Sequence, residues 1–177
     1  VEQVDSLRLV HGQAGETPIL IAIRSMGDTD PLPMSLIEGT VDEVRQCLKA
    51  GEVVLGTVLA HRHGWKPGDT IELTLPAGPR KLRVAGTASE YYVGGNVVLL
   101  EREAAKKLFP FEGADAYLIR VKPAERAAAD AALRRYCEDQ GLVLTSFGEL
   151  SASFEEVLSS VVAGLWALQF VGFAVAG

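Results

Sequence analysis

The last 21 residues of this 177-residue chain, 157–177, carry no charge, and 15 of them are hydrophobic. A helix of about 20 apolar residues covers the hydrocarbon thickness of a bilayer, which is roughly 30 Å. The glycines and alanines of the run also suit close helix packing in lipid. We therefore predict that 157–177 is the start of a transmembrane helix. The predicted span contains Val161, Leu165, Trp166, Leu168, Phe170 and Phe173.

A buried helix of a soluble core is the alternative interpretation of this run, and it predicts that a fragment ending at Glu156 does not fold. A core helix usually has a polar stripe, whereas only Gln169 interrupts the second half of the run. Because the sequence ends inside the run and no signal peptide precedes it, we expect a segment of a longer polypeptide.

The distribution of positive charge predicts an orientation for the span. No Lys or Arg lies between Tyr136 and Gly177, a stretch of 42 residues. Lys and Arg accumulate on the cytoplasmic side of a membrane span. We therefore predict that the residues before the run lie outside the cytoplasm.

The overall charge argues against nucleic-acid binding. The chain has 17 Lys and Arg against 23 Asp and Glu, for a net charge of −6. Affinity for nucleic acid depends on neutralising phosphates with basic side chains, which an acidic chain does poorly. The hydrophobic share of 48% is that of an ordinary folded domain, so we expect one domain or two small lobes that fold together.

Alternation and turn residues predict a β-rich first two-thirds with short helices. The apolar run Pro18–Ile23 predicts a buried strand. Thr40 or Asp42 is predicted to cap a short helix that runs through Val44 and Leu48 and ends at Gly51. Residues 70–75 and 81–84 alternate between polar and apolar side chains around a turn, which predicts a hairpin. A strand at 96–100 and a helix at 101–109 follow.

The last third predicts a strand, a helix and a second strand. Apolar side chains alternate up to Val121, and residues 124–140 form an alanine-rich helix whose Ala129, Leu133 and Tyr136 are expected to face a sheet. The apolar run 142–144 predicts the next strand. Ser151 or Ser153 is predicted to cap the helix that enters the apolar run.

Residues 51–73 resemble a recurring segment of MacB/FtsX-type ABC transporter permeases. The segment consists of an apolar strand, a small helix containing Leu59-Ala60, and a turn with the pattern G-x-K-x-G-D-x-I at 64–71. Residues 81–87 are similar to the second hairpin strand of that family, and 97–109 are similar to its next strand and helix. The resemblance covers roughly 36–177 and rests on the order of the elements together with the apolar run.

The resemblance implies an α+β fold with two lobes outside the cytoplasm. Residues 1–156 would form this domain: a porter-like βαβ lobe with an inserted β-rich lobe at about 65–110. A C-terminal helix would lead into the transmembrane span at 157–177.

The resemblance also implies a function in the bacterial inner membrane. The domain would belong to a permease that works as a dimer with a cytoplasmic ABC ATPase subunit. It would transmit ATP-driven conformational change and dock cargo or partner proteins, in lipoprotein release, efflux or control of cell-wall hydrolases. The catalysis would then belong to the ATPase. A ligand-binding sensory domain of a membrane receptor is the alternative, and a receptor would continue into a cytoplasmic signalling module.

The sequence contains no recognisable catalytic, cofactor or metal motif. There is no G-x-S-x-G elbow and no phosphate-binding glycine loop, so we predict neither an enzyme nor a cofactor. His61 and His63 point to different faces of a helix, which is unsuitable for a shared metal. Cys47 and Cys137 occupy apolar positions of predicted helices, although an extracytoplasmic location would permit a disulfide.

Tyr91 and Tyr92 are the candidate partner contacts. They stand next to Gly94-Gly95, a pattern typical of a hairpin tip. Two adjacent tyrosines in a strand cannot both point inward, so one is expected to be exposed. Exposed aromatic side chains often anchor protein partners, and packing of both rings on the second lobe is the alternative.

Overall fold

The computed structural model describes residues 1–27, 32, 34–89, 95–152, 155–156, 159–162 and 166. The chain divides into two compact units, Val1–Val121 and Lys122–Gly177.

The described residues of the first unit form a single mixed sheet and three helices. The strands are β1 (Gln3–Ala14), β2 (Thr17–Arg24), β3 (Ser35–Glu38), β4 (Val53–Gly56), β5 (Thr70–Leu75), β6 (Gly78–Ser89), β7 (Val97–Glu101) and β8 (Ala116–Arg120). The helices are α1 (Val41–Ala50), α2 (Thr57–His63) and α3 (Arg102–Leu108). The chain is therefore α+β, as predicted.

Six of the strands close into a ring. The pairing order is β2-β7-β4-β6-β5-β1, and β1 also pairs with β2. The β2–β7 and β4–β6 pairs are parallel, and the other pairs are antiparallel. Strand β3 pairs with β6, and β8 pairs with β1, outside the ring. Strands from residues 3–56 and from the predicted β-rich segment 65–110 contribute to the same ring.

Apolar side chains pack on both sides of the ring. One cluster includes Ile21, Leu55 and Leu73, and a second includes Val44 and Leu48 of α1. All five residues of β7 are buried, and the side chains of 97–100 alternate between the two clusters. The near-continuous apolar run at 97–100 is the expected sequence of a strand that is covered on both faces.

The predicted hairpin and the first helices are confirmed. Strands β5 and β6 pair from Thr70↔Arg83 to Leu75↔Gly78, with the apolar residues of β5 buried and the polar ones exposed. Helix α1 ends at Gly51, whose φ of +97° closes the last turn through hydrogen bonds that only a left-handed residue makes easily. Helix α3 begins where the Glu101 carboxylate accepts a hydrogen bond from Ala104 N–H, at 2.8 Å.

Strands β1 and β8 of the first unit pair with each other in antiparallel fashion. Gln3 and Arg120 are direct cross-strand partners. The backbone N–H of Glu2 donates to the carbonyl of Arg120 at 2.9 Å.

The second unit contains helix α4 (Arg126–Gln140), which follows a short 3-10 turn and ends at Gly141. The predicted helix is confirmed, but the prediction for Tyr136 is wrong, since this side chain is 59% exposed. Ala129, Leu133 and Cys137 are the half-buried apolar residues of this face, because a spacing of four keeps them on one line.

The predicted strand at 142–144 is wrong. Residues 142–146 have no regular secondary structure, and Val143 is 90% exposed. A run of three apolar residues forms a strand only where a neighbouring strand supplies hydrogen bonds, and a sequence run does not supply that neighbour.

The predicted cap of the following helix is also displaced. Helix begins at residue 147, and Ser151 lies inside it, while Ser153 lies outside the described residues. Ser146 is the cap: its backbone N–H donates to Glu149 Oε2 at 2.7 Å, and its hydroxyl accepts from Glu149 N–H at 3.2 Å. This reciprocal pair is a capping box, whose S-x-x-E pattern is present at 146–149.

Candidate functional site

A pocket of about 370 Å³ lies in the first unit beside the ends of β1, β2 and β8. Side chains at alternate positions of paired strands share a face, which brings Gln3 next to Arg120 and Asp5 next to Leu118. Helix α1 contributes Arg45. The polar side chains of the lining are Gln3, Asp5, Arg24, Ser25, Arg45 and Arg120.

A buried ion pair forms one part of the wall. Arg24 Nε donates to Asp5 Oδ2 at 2.9 Å, and Arg24 Nη2 donates to the same oxygen. The Ser25 hydroxyl donates to Asp5 Oδ1 at 2.8 Å and accepts from Ser6 N–H at 2.9 Å. Asp5 and Arg24 are each 8% exposed, so the carboxylate holds the guanidinium in a nearly dry environment.

Arg45 differs from Arg24 in its hydrogen bonds. It is also 8% exposed, and its Nη1 donates to the carbonyl of Gly27 at 2.8 Å. Its Nε finds no hydrogen-bond partner among the described residues, and neither does the buried Oε1 of Gln3. Unpartnered buried polar atoms cost free energy, and both of these atoms belong to residues that line the pocket.

The charge of the lining is opposite to that of the chain. Among the described residues that line the pocket, three are arginines and one is an aspartate, whereas the whole sequence carries −6. Because Asp5 is engaged by Arg24, the positive excess belongs to Arg45 and Arg120. The other described residues of the lining are apolar: Met26, Leu32, Leu118 and Ile119.

These pocket residues were missed by the sequence analysis. They lie between positions 3 and 120, so no local spacing connects them. One signal was available: Arg24 and Ser25 directly follow the apolar strand 18–23, where a charged side chain at the end of a buried run needs a partner.

The predicted partner contacts Tyr91 and Tyr92 lie outside the described residues. The structure describes Gly95, which follows Tyr92 by three positions in the sequence. Gly95 has a φ of +64°, and its backbone approaches Val58 so closely that a Cβ would lie 2.6 Å from Val58 Cγ2. A glycine is therefore required at this position of the predicted tip.

Two of the six predicted span residues are described. Val161 and Trp166 are helical and are 56% and 57% exposed. Leu165, Leu168, Phe170 and Phe173 lie outside the described residues. Among the residues that the structure describes, no helix combines the length and apolar character needed to cross a membrane.

The histidines and cysteines have structural surroundings. The His63 ring stacks on Trp65 with a centroid distance of 4.3 Å, and its Nε2 lies 3.3 Å from the Thr17 hydroxyl. In the described part of the chain, no group of three or more His, Cys, Asp or Glu could hold a metal. Cys47 and Cys137 are free and half-buried.

The thiol of Cys47 has an altered acidity. Burial raises its pKa, and the neighbouring Glu52 carboxylate raises it further because a negative charge disfavours the thiolate. Cys47 is therefore a poor nucleophile at neutral pH.

No protein-family model and no curated protein matches the sequence. The fold matches the extracellular domain of the noncanonic ABC-type transporter YknZ from Gram-positive bacteria, with a TM-score of 0.56, 16% identity, and coverage of 81% of this chain and 78% of that chain. It also matches the periplasmic region of MacB from Actinobacillus actinomycetemcomitans, with a TM-score of 0.55, 13% identity, and coverage of 88% and 76%. The chain has the fold of these extracytoplasmic transporter domains. The predicted resemblance to MacB-type permeases is confirmed at the level of the fold.

Proposed function

We propose that the chain is the extracytoplasmic part of a MacB/FtsX-type ABC transporter permease, in which it transmits ATP-driven conformational change and docks cargo or partner proteins. The supporting observation is the fold shared with the YknZ and MacB domains over 81% and 88% of the chain. In this proposal the residues from 157 onward enter a span of the bacterial inner membrane.

In this proposal the first unit moves as a rigid body, which its strand pairing and packing support. Its ring of strands is closed by backbone hydrogen bonds, and packed apolar clusters lie on both sides of it. Close-packed cores deform little and transmit displacement. A movement applied through the membrane helices would therefore reposition the unit and any protein bound to it.

The proposed partners follow from this role. A cytoplasmic ABC ATPase would supply the energy, and a second permease copy would complete a dimer. An extracytoplasmic protein or a lipoprotein would bind outside, with Tyr91 and Tyr92 as the proposed contacts. The domain itself would have no catalytic activity.

The test is to solubilise the complete native polypeptide in mild detergent and to identify the co-purifying proteins by mass spectrometry. We expect recovery of an ABC ATPase. The double variant Tyr91→Ala/Tyr92→Ala should retain the ATPase and lose any extracytoplasmic protein. A complete polypeptide that needs no detergent and brings down no ATPase would contradict the proposal.

The arginine-lined pocket favours a second candidate, a ligand-binding sensory domain of a membrane receptor. Both candidates place the first unit outside the cytoplasm. A receptor would carry a cytoplasmic signalling module in its own polypeptide and would not bring down an ABC ATPase. The same purification therefore distinguishes the two.

A further inference from the structure

We propose that the pocket between β1, β2, β8 and α1 binds a small organic dianion that carries a hydroxyl group, such as a hydroxydicarboxylate or a phosphomonoester of a polyol. Binding at this pocket would not depend on whether the domain belongs to a permease or to a receptor.

The positive excess of the lining sets the charge of the ligand. Asp5 accepts both Arg24 hydrogen bonds on one oxygen and the Ser25 hydroxyl on the other, so this pair is largely satisfied without a guest. Among the described residues of the lining, Arg45 and Arg120 remain as two positive charges. A ligand with two negative charges would balance them.

Arg45 is the proposed main contact for an acidic group of the ligand. Arg45 is only 8% exposed, so its positive charge lies nearly out of contact with water. Its Nη1 is bonded to the neutral carbonyl of Gly27, and its Nε has no partner among the described residues. A ligand carboxylate or phosphate would accept from this Nε, in the charge-assisted geometry that guanidinium groups favour.

Gln3 and Arg120 extend the site toward solvent. They are cross-strand partners, so their side chains lie on the same face of the sheet. The buried Oε1 of Gln3 is an acceptor without a partner in the described structure, which suits a hydroxyl donor on the ligand. Arg120 is exposed, and its side chain would form an ion pair with the second acidic group of the ligand.

The size and the apolar lining limit the ligand further. The volume of about 370 Å³ lies at the small end of ligand pockets, which span roughly 300–1,000 Å³. Met26, Leu32 and Leu118 offer contact to a short carbon skeleton. A metabolite of this size fits the pocket, whereas a polymer would not.

The test is calorimetric titration of the 177-residue chain with L-malate and with glycerol 3-phosphate as separate probes. Glycerol is the uncharged comparison, and succinate is the comparison without the hydroxyl. We expect saturable 1:1 binding of malate or glycerol 3-phosphate, weaker binding of succinate, and no heat with glycerol. Tighter binding of malate would indicate a carboxylate ligand, and tighter binding of glycerol 3-phosphate would indicate a phosphate ligand.

Variants separate the pocket from general charge. Arg120→Gln removes an exposed charge at the pocket and should weaken binding about tenfold, the equivalent of one charge-assisted hydrogen bond. Arg80→Gln makes the same change in the β5–β6 hairpin, away from the lining, and should leave binding unchanged. Arg45→Lys keeps the positive charge but removes the Nε donor, so it should weaken binding of the dianion. Circular dichroism should show that this variant retains the fold.

Two results would overturn the inference. One is the absence of saturable binding of both dianions at millimolar concentration to a folded chain. The other is an equal loss of binding in Arg120→Gln and Arg80→Gln, which would show that the net charge of the chain, and not the pocket, attracts the anion.

Discussion

At the scale of single residues, the buried Asp5–Arg24 ion pair tolerates substitution of one partner poorly. Two charges that are nearly removed from water are tolerated only while each compensates the other. Asp5→Ala leaves the Arg24 guanidinium buried without its carboxylate. We expect this variant to lower the free energy of unfolding by about 3–5 kcal/mol, the usual cost of breaking a buried pair from one side.

Urea unfolding followed by circular dichroism measures this cost. Asp139→Ala, in the last turn of α4, is the control, and it should change the free energy of unfolding by less than about 0.5 kcal/mol, as surface substitutions do. The double variant Asp5→Leu/Arg24→Met removes both charges and should recover most of the loss. Equal stability of Asp5→Ala and Asp139→Ala would refute the importance of the pair.

Gly56 is a second residue whose identity is fixed by its surroundings. Its φ of −62° is available to any residue, so backbone conformation does not require a glycine. A Cβ there would lie 2.7 Å from the carbonyl oxygen of Gly95 and 2.8 Å from Val97 Cγ1. We expect Gly56→Ala to destabilise the chain by about 1–3 kcal/mol, the usual cost of overpacking.

Gly148→Ala provides the matched control for Gly56→Ala. Gly148 is helical, and an added Cβ would meet only the Ser146 hydroxyl, at 3.9 Å. Alanine is the better helix former by roughly 0.5–1 kcal/mol, so this substitution should be neutral or stabilising. Thermal unfolding of the two variants compares them. An unchanged melting temperature in Gly56→Ala would mean that β4 and the Gly95 segment are farther apart than described.

At the scale of secondary-structure elements, the capping box of the last helix gives a pH dependence. The pKa of Glu149 is lowered from 4.5 to about 2 by hydrogen bonds from the backbone and hydroxyl of Ser146, and then by the Arg134 guanidinium. A lowered pKa in the folded state means that the contribution of the carboxylate to stability is complete above about pH 4.5. It is lost as the pH falls through about 2.

The amide resonance of Ser146 reports this titration in NMR spectra. We expect it to shift with a midpoint near pH 2 in the unmodified chain and to show no such step in Glu149→Gln. Glu138→Gln, on the exposed surface of α4, should leave the step in place. A midpoint near the ordinary glutamate value of about 4.3 would show that the capping box does not form.

The elements also show how far sequence reasoning reaches. The β5–β6 hairpin and helix α1 were predictable, because alternation and the glycine at position 51 are local signals. The strand predicted at 142–144 failed, because strand formation depends on a neighbour that is distant in sequence. The start of the following helix was predicted wrongly for another reason. The S-x-x-E capping pattern at 146–149 is present in the sequence, but the prediction chose Ser151 or Ser153 as the cap.

At the scale of the whole molecule, ring closure and the pocket were beyond the sequence. The ring closes where Gln13 of β1 pairs with Thr74 of β5. The pocket brings together Gln3, Arg45 and Arg120, which are distant in sequence. No pattern of period two or 3.6 encodes contacts over such separations. The α+β class was predicted through the resemblance to a known family, but the positions that the fold brings together were not predicted.

Hydrogen exchange tests the closed ring. Strand β7 has a partner on each side, β2 and β4, whereas β8 pairs with β1 at the outside of the ring. We expect the amides of β7 to exchange only with global unfolding and those of β8 to exchange faster through local opening. Mass spectrometry of peptic peptides provides the comparison. Equally fast exchange in both strands would rule out a stable ring.

The pairing of β1 with β8 in the first unit has a consequence for its evolutionary history. Since Gln3 and Arg120 face each other across paired strands, the segment between them begins and ends at almost the same point in space. A segment of this kind can be grafted into an existing loop without forcing apart the residues that flank it, which is why insertion succeeds where termini are close. Recombination could therefore move the whole unit between unrelated host proteins as a cassette, with its interior unchanged.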